Sequence, residues 1–152
     1  MKIIAIGNRL MKDDGIAIEV AENLRERLKG YNIELLIGET DYESCFYHLK
    51  KEDFVVIIDA ISIGAESGSI HMFKLEEVLS QPSDYNMQHD MNIIELIKLY
   101  NMPLKGYIIG IEAADIGIGK ELSPILREKF PQICSTIENV ILELITEEKN
   151  YA

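Results

Sequence analysis

The chain opens with a change from one hydrophobic pattern to another. Residues 2–6 (Lys-Ile-Ile-Ala-Ile) form a short run of branched apolar residues, which is typical of a buried strand. Gly7 and Asn8 follow, and both tolerate the positive φ values of turns. Beyond the turn, apolar residues recur every four positions, as on one face of an amphipathic helix: Ile16, Val20, Leu24 and Leu28, with Ala17 and Ala21 beside them. We expect Asp13 or Asp14 to cap this helix.

The same two patterns alternate along the rest of the chain. Further strands are predicted at residues 33–37, 54–59, 70–75 and 106–112. The run at 54–59 has five apolar residues without alternation, as a strand covered on both faces requires. Helices are predicted at 42–51, around the apolar face Ile93, Ile94, Ile97 and Tyr100, and from about Ser123 to the end with an interruption or restart at Pro131. Segments 61–69, 76–88 and 113–121 are predicted to be loops or irregular.

Strands that alternate with helices predict an α/β fold. We expect a three-layer sandwich, with a mostly parallel central sheet of about five strands and helices on both faces. One strand is allowed to run antiparallel, and the polar positions of 70–75 indicate an edge. A length of 152 residues without a linker or repeat predicts a single domain over residues 1–152.

Composition narrows the classes of ligand and partner. The formal net charge is −11, with no cluster of Lys and Arg, which disfavours nucleic acid and polyphosphate ligands and suits a cation or a basic peptide. Two cysteines, Cys45 and Cys134, without a signal peptide predict reduced thiols and a cytoplasmic protein. The opening apolar run is too short for a membrane span, so we expect no membrane insertion.

Three residues are expected near the carboxyl ends of the strands, where ligands of α/β sheets bind. Asp14 opens the helix after the first strand, Asp59 ends the third strand, and His89 precedes the helix before the last strand. The carboxyl ends of neighbouring parallel strands share one edge of the sheet. Two carboxylates and an imidazole would form a three-ligand set with open positions, which suits nickel or zinc better than calcium.

Spacing alone leaves ordinary structural roles open for all three residues. Asp14 at a helix start is more often a cap than a ligand. Asp59 is less ordinary because an unpaired buried charge is costly, yet a turn-capping role explains it equally well. A solvated loop position would account for His89.

The sequence gives weaker support for other catalytic groups. Cys45 and His48 lie three positions apart and could form a dyad on one helix face, although a core cysteine beside a solvated histidine is simpler. His71 is expected at the surface of an edge strand, and Cys134 in the core. The aspartates are not surrounded by the Asp-Thr-Gly pattern of aspartic proteases.

Four segments together resemble the [NiFe]-hydrogenase maturation endopeptidases. They are residues 6–8 with Leu10 and 13–15, residues 57–60, His89 before the helix 93–99, and residues 110–112 before a glycine-rich loop. Their order and separations resemble the family along nearly the whole chain. Carried over residue by residue, the resemblance implies that Asp14, Asp59 and His89 bind a nickel-type metal and take part in catalysis. It leaves Asp13 for the local turn and cap.

The chain departs from the family pattern at three places. Many relatives have a G-x-G-N opening where this chain has residues 5–8, Ala-Ile-Gly-Asn. A Gly-Gly-Thr-like segment, which the resemblance implies binds the substrate, is represented here by Gly38, Glu39 and Thr40. The proline often found after the Gly-Ile pair is absent from the region of residues 112–113. The metal trio is intact, so these departures bear on the choice of substrate.

The resemblance implies a specific function. The chain would remove a short C-terminal extension from the precursor of a [NiFe]-hydrogenase large subunit after nickel insertion. The nickel would be supplied by the substrate, without a permanent cofactor, and a monomer is favoured. Two alternatives remain: a non-enzymatic nickel-binding or chaperone-like maturation module, and a small-ligand-binding doubly wound domain in which the trio is structural.

Overall fold

The computed structural model describes residues 1–82 and 92–151. Its strands are β1 (Lys2–Ile6), β2 (Glu34–Glu39), β3 (Phe54–Ile61), β4 (Ile70–Lys74) and β5 (Lys105–Glu112). Its helices are α1 (Ile16–Leu28), α2 (Tyr42–Tyr47), α3 (Leu75–Leu79), α4 (Asn92–Leu99) and α5 (Pro124–Tyr151), with a 3-10 turn at Lys12–Gly15 before α1.

The strands form one sheet in the order β2-β1-β3-β5-β4. The pairs β1–β2, β1–β3 and β3–β5 are parallel, whereas β4 lies at one edge and runs antiparallel to β5. The predicted α/β class, the mostly parallel sheet and the edge position of the fourth strand are therefore confirmed. The structure also identifies the antiparallel strand, which the sequence pattern left open.

Successive residues of each central strand enter two separate cores. Ile3 and Ala5 of β1 pack with α1 and α5 on one face, whereas Ile4 and Ile6 pack with α2, α3 and α4 on the other. Because side chains alternate across a strand, a sheet covered on both faces needs apolar residues at every position. This explains the uninterrupted apolar runs, and it confirms the three predicted layers.

Several predicted boundaries are wrong. The third strand extends two residues beyond Asp59, and the helix predicted at 42–51 ends at Tyr47. The segment 76–88, predicted as irregular, begins inside the short helix α3. Tyr100 lies after the end of α4 and is 65% exposed, so it does not belong to that helix's buried face.

Pro131 does not interrupt the last helix, contrary to prediction. α5 continues through it from Pro124 to Tyr151. A proline inside a helix costs about 3 kcal/mol because it removes a hydrogen bond and crowds the preceding turn. Leu126 before it and Ile133 after it are both buried in the same core, and this packing holds the two halves in one helix.

No helix among the described residues combines the length and the apolar character that crossing a membrane would require.

Candidate functional site

The chain reverses its direction across the sheet between β1 and β3. From β1 it passes through α1 on one face to β2, and from β2 it returns through α2 on the opposite face to β3. Ligands of open α/β sheets bind in the crevice that such a reversal leaves at the carboxyl ends of the strands. The turn that carries Asp14 follows β1, and Asp59 is in β3, so both aspartates lie on segments that border this crevice.

Asp14 is held by the turn between β1 and α1. Its Oδ2 accepts a hydrogen bond from the Asn8 N–H at 2.9 Å. Its carbonyl oxygen packs against Gly7, where a Cβ atom would lie only 2.1 Å from it. The side chain is half-buried, so it is oriented by the turn and remains in reach of solvent.

Asp59 lies inside β3 and not at its end. The last residue pair between β1 and β3 joins Ala5 to Ile58, so Asp59 stands one position beyond the β1 ladder. It is 8% exposed, and its Oδ1 accepts a hydrogen bond from the Ala60 N–H at 2.8 Å. By strand alternation it is on the sheet face covered by α2, α3 and α4, because Ile57 packs on that face.

His89 lies outside the described residues. The helix that follows it, α4, ends near the amino edge of the sheet, where the Glu52 N–H donates to the Pro103 carbonyl at 2.8 Å. Residues 1–82 and 92–151 contain no group of three His, Cys, Asp or Glu side chains arranged to hold a metal ion. The two described members of the predicted trio therefore do not make a three-ligand site by themselves.

Asp13 is the residue whose role the sequence pattern missed. Its side chain is fully buried, and it does not cap α1, whose N-cap is Gly15 without a side-chain hydrogen bond. Instead Oδ2 accepts from the N–H groups of Ala114 and Asp115, at 2.9 and 2.8 Å, and Oδ1 accepts from the Ser123 N–H at 2.7 Å. The expected turn and cap role of Asp13 is wrong, because partners about a hundred residues away satisfy its carboxylate.

Glu112 plays a similar part for a second loop. Its side chain is buried and accepts from the N–H groups of Ile63 and Gly64, both at 3.1 Å. The Gly68 N–H donates to the Glu112 carbonyl at 2.7 Å. Two buried carboxylates therefore anchor two of the loops at the carboxyl edge of the sheet.

The predicted substrate segment lies at the end of edge strand β2. Gly38 and Glu39 belong to the strand, with a bulge where Ile6 of β1 pairs with Glu39, and Thr40 follows it exposed. The Glu39 carbonyl accepts from the Gly7 N–H at 3.0 Å, so this segment borders the turn that leads to Asp14. The Glu39 side chain forms an ion pair with Arg9, which also pairs with Glu22. These contacts raise the pKa of Arg9.

The thiols are placed in the core. Burial raises the pKa of Cys45, and raises that of Cys134 to about 11. His48 is exposed, with Nδ1 at 2.8 Å from the Ser44 carbonyl. A Cys–His nucleophile needs an ionised thiol, which the raised pKa of Cys45 opposes.

His71 is partly exposed on the edge strand β4, which agrees with the expected surface position. Its Nε2 lies 2.9 Å from the Ser69 hydroxyl, which itself donates to the Glu66 carbonyl at 2.5 Å. The ring of His71 therefore contacts a neighbouring side chain while the residue stays partly exposed.

Comparison with known proteins identifies the family. The sequence model of the hydrogenase maturation proteases, HycI, matches residues 18–140. The chain belongs to this family. The resemblance inferred from the short motifs is confirmed, and with it the expectation of a peptidase family. The matched range contains Asp59 and position 89 but begins after Asp14.

The curated relatives that the chain matches carry the names of hydrogenase expression/formation proteins or of a hydrogenase subunit. The hydrogenase expression/formation protein HupD of Thiocapsa roseopersicina is 26% identical over 135 residues, which cover 84% of this chain and 61% of the relative. The chain thus spans about three-fifths of that relative's length. The delta subunit of coenzyme F420 hydrogenase from Methanothermobacter thermautotrophicus is 22% identical over 144 residues, covering 89% of this chain and 90% of the subunit.

Solved structures of the family share the fold. The [NiFe] hydrogenase maturation protease HybD from Thermococcus kodakarensis is 30% identical, with a TM-score of 0.72 over 91% of this chain and 97% of that one. The hydrogenase maturating endopeptidase HybD from E. coli superposes with a TM-score of 0.76 over 94% and 93% of the two chains. At 20% identity the second likeness shows the fold alone.

Proposed function

We propose that this chain is an endopeptidase that removes the C-terminal extension of a [NiFe]-hydrogenase large-subunit precursor after nickel insertion. Membership of the hydrogenase maturation protease family is the observation that carries the proposal. The placement of Asp14 in the turn after β1, and of Asp59 in β3, adds support because these two strands border the reversal of the sheet. In the proposal, Asp14, Asp59 and His89 are both metal ligands and catalytic residues.

The metal in this proposal belongs to the substrate. Nickel already bound by the precursor would be gripped by the three side chains, which would bring the scissile bond beside it. Each described carboxylate has one oxygen oriented by a backbone N–H, that of Asn8 for Asp14 and that of Ala60 for Asp59. Such bonds fix the direction in which the carboxylate oxygens point, as a metal ligand requires.

The chemistry follows from a cation held beside a peptide bond. The nickel would polarise the scissile carbonyl or activate a water molecule. A carboxylate of the site would serve as general base for that water. No covalent intermediate on the protein is needed, and the protonated core thiols Cys45 and Cys134 take no part.

The segment Gly38, Glu39 and Thr40 is proposed to contact the precursor. It ends an edge strand, and an edge strand can pair with an extended peptide. Its hydrogen bond to Gly7 joins it to the turn that carries Asp14, so a bound peptide would run toward the proposed metal position. The net charge of −11 suits a basic partner surface. We place the reaction in the cytoplasm, where buried free thiols such as these remain reduced.

Incubation with a nickel-loaded large-subunit precursor, followed by mass measurement of the product, tests the function. We expect a shortened product from the wild type and none from D14A, D59A or H89A. Two matched controls, H48A for the histidine and D53N for the aspartates, change exposed or distant residues and should process the precursor normally.

Three outcomes separate the candidate functions. A shortened product supports the peptidase. Nickel-dependent association with an unshortened precursor would instead favour the chaperone-like module. The absence of both cleavage and association would favour a small-ligand-binding domain.

A further inference from the structure

The buried carboxylate of Asp13 is matched to three donors. Among the described residues, its side chain accepts from three backbone N–H groups, those of Ala114, Asp115 and Ser123. The two oxygens of a carboxylate can accept from all three N–H groups. An asparagine side chain of the same shape has one oxygen and one NH₂ group, so its NH₂ would face an N–H group that also needs an acceptor. The site therefore requires a carboxylate at this position.

The bonds of Asp13 close a larger connection between two loops. The Lys12 N–H donates to Gly119 at 2.8 Å, the Gly119 N–H donates to Leu10 at 2.8 Å, and the Asp13 N–H donates to Asp115 at 3.0 Å. Lys12 has a φ of 46°, a value that a lysine adopts only when its surroundings hold it there. The loop after β5 and the turn after β1 are thus held together by these hydrogen bonds.

Asp14 is the next residue of this turn. In a 3-10 turn successive side chains are rotated by about a third of a turn, so a buried Asp13 directs Asp14 elsewhere. The Asp14 side chain instead points toward Asn8, whose N–H donates to Asp14 Oδ2. A change in the backbone of the turn that took Asp13 out of its pocket would also change the direction of the Asp14 side chain.

We propose that Asp13 is a positioning residue, which fixes the direction of Asp14 by anchoring the turn after β1 to the loop at residues 114–123. Its effect on the reaction rests on the proposed function, whereas its effect on Asp14 geometry does not. This role is separate from metal binding, because within residues 1–82 and 92–151 the buried Asp13 side chain accepts its hydrogen bonds from backbone amides.

Graded variants of Asp13 test the proposal. D13N can retain the two bonds at Oδ2 but places NH₂ against the Ser123 N–H, whereas D13A removes all three bonds. We expect kcat for precursor cleavage to fall about 10- to 100-fold, more in D13A than in D13N. KM should rise as well, because Asp14 is also proposed to bind the nickel that the substrate carries.

D53N is the matched control. Asp53 anchors a loop at the opposite edge of the sheet, where it accepts from the Lys50 N–H and from Lys2 Nζ, both at 2.7 Å. All assays are run well below the Tm of every variant. D53N should lose stability but keep the kcat of the wild type. An equal loss of kcat in D53N and D13N would overturn the proposal, since the loss would then follow stability alone.

Hydrogen exchange gives a readout that needs no precursor. The Asn8 amide donates to Asp14, so its exchange should accelerate in D13N and D13A and stay unchanged in D53N. Unchanged protection of Asn8 in folded D13A would overturn the positioning role. Failure of the wild type to cleave the precursor would instead refute the proposed function, and the exchange result would still decide the role of Asp13.

Discussion

Replacement of Gly7 by alanine should displace the turn that carries Asp14. Gly7 has a φ of +146°, a backbone conformation that L side chains rarely adopt. An added Cβ would lie 2.1 Å from the Asp14 carbonyl oxygen and 3.2 Å from its carbon. The first distance is about 1 Å inside the shortest approach that real Cβ atoms show. Because the obstacle is backbone, no rotation of a side chain can relieve the contact.

Two costs add in this variant. A residue held in a sparsely populated φ/ψ region costs about 1–3 kcal/mol. A backbone shift forced by overpacking costs a further 1–3 kcal/mol or so. We therefore expect G7A to lose about 2–6 kcal/mol of unfolding free energy, a large share of the roughly 5–15 kcal/mol typical of a domain. For a chain of this size the Tm should fall by at least about 4 °C.

G30A is the matched control for G7A. A Cβ at Gly30 would have no heavy atom within 4 Å, and its φ is not in the strained range. This variant should be neutral or more stable by about 0.4–1 kcal/mol, because alanine restricts the unfolded chain. Urea and thermal unfolding, followed by circular dichroism, measure both variants. A value for G7A within about 0.5 kcal/mol of the wild type would refute the close-contact argument.

G7A also bears on the proposed reaction. At a temperature where the variant is folded, the shifted Asp14 backbone should lower the rate of precursor cleavage, and G30A should cleave as the wild type does. Full cleavage by a destabilised G7A would show that the position of Asp14 does not limit the reaction.

Two further predictions concern titrating groups. Because burial raises the pKa of Cys45 and raises that of Cys134 to about 11, a thiol reagent at pH 8 should label the native protein far more slowly than the unfolded chain, and prompt native labelling would contradict the burial of both thiols. The hydrogen bond from Lys12 lowers the pKa of Asp115 below its ordinary value of 3.8, so the unfolded state binds more protons there in acid. The Lys12–Asp115 pair should therefore stabilise the fold above about pH 4 and lose this effect as the pH falls further. The free energies of unfolding of the wild type and of D115N, measured from pH 6 to pH 2, should then converge as the pH falls.

The positions of the first strand and helix follow from local pattern. Residues 2–6 form β1 as predicted, and the four-residue spacing from Ile16 to Leu28 coincides with α1. In both elements the apolar residues follow a regular pattern. The pattern predicts the same strand or helix whichever other element packs against it. Elements without a strong period were predicted less well: α3 begins inside a segment predicted to be irregular, and its length of five residues leaves little pattern to read.

Tertiary structure decided the features that depend on distant partners. The antiparallel direction of β4 depends on its pairing with β5, and the continuity of α5 through Pro131 depends on packing on both sides of the proline. The different roles of Asp13 and Asp14 depend most on tertiary structure. Asp13 and Asp14 have the same side chain in adjacent positions, and pattern cannot tell them apart. Backbone amides about a hundred residues away bury the first carboxylate, while the turn directs the second toward Asn8.

The sequence by itself determined the alternation of strands and helices, the family, and the presence of aspartates in the turn after β1 and in β3. Hydrophobic periodicity and the order of motifs depend only on the order of residues along the chain, so they can be identified without a structure. The different tasks of Asp13 and Asp14 were decided only by tertiary structure, because a buried carboxylate is stable only where folding brings it enough donors.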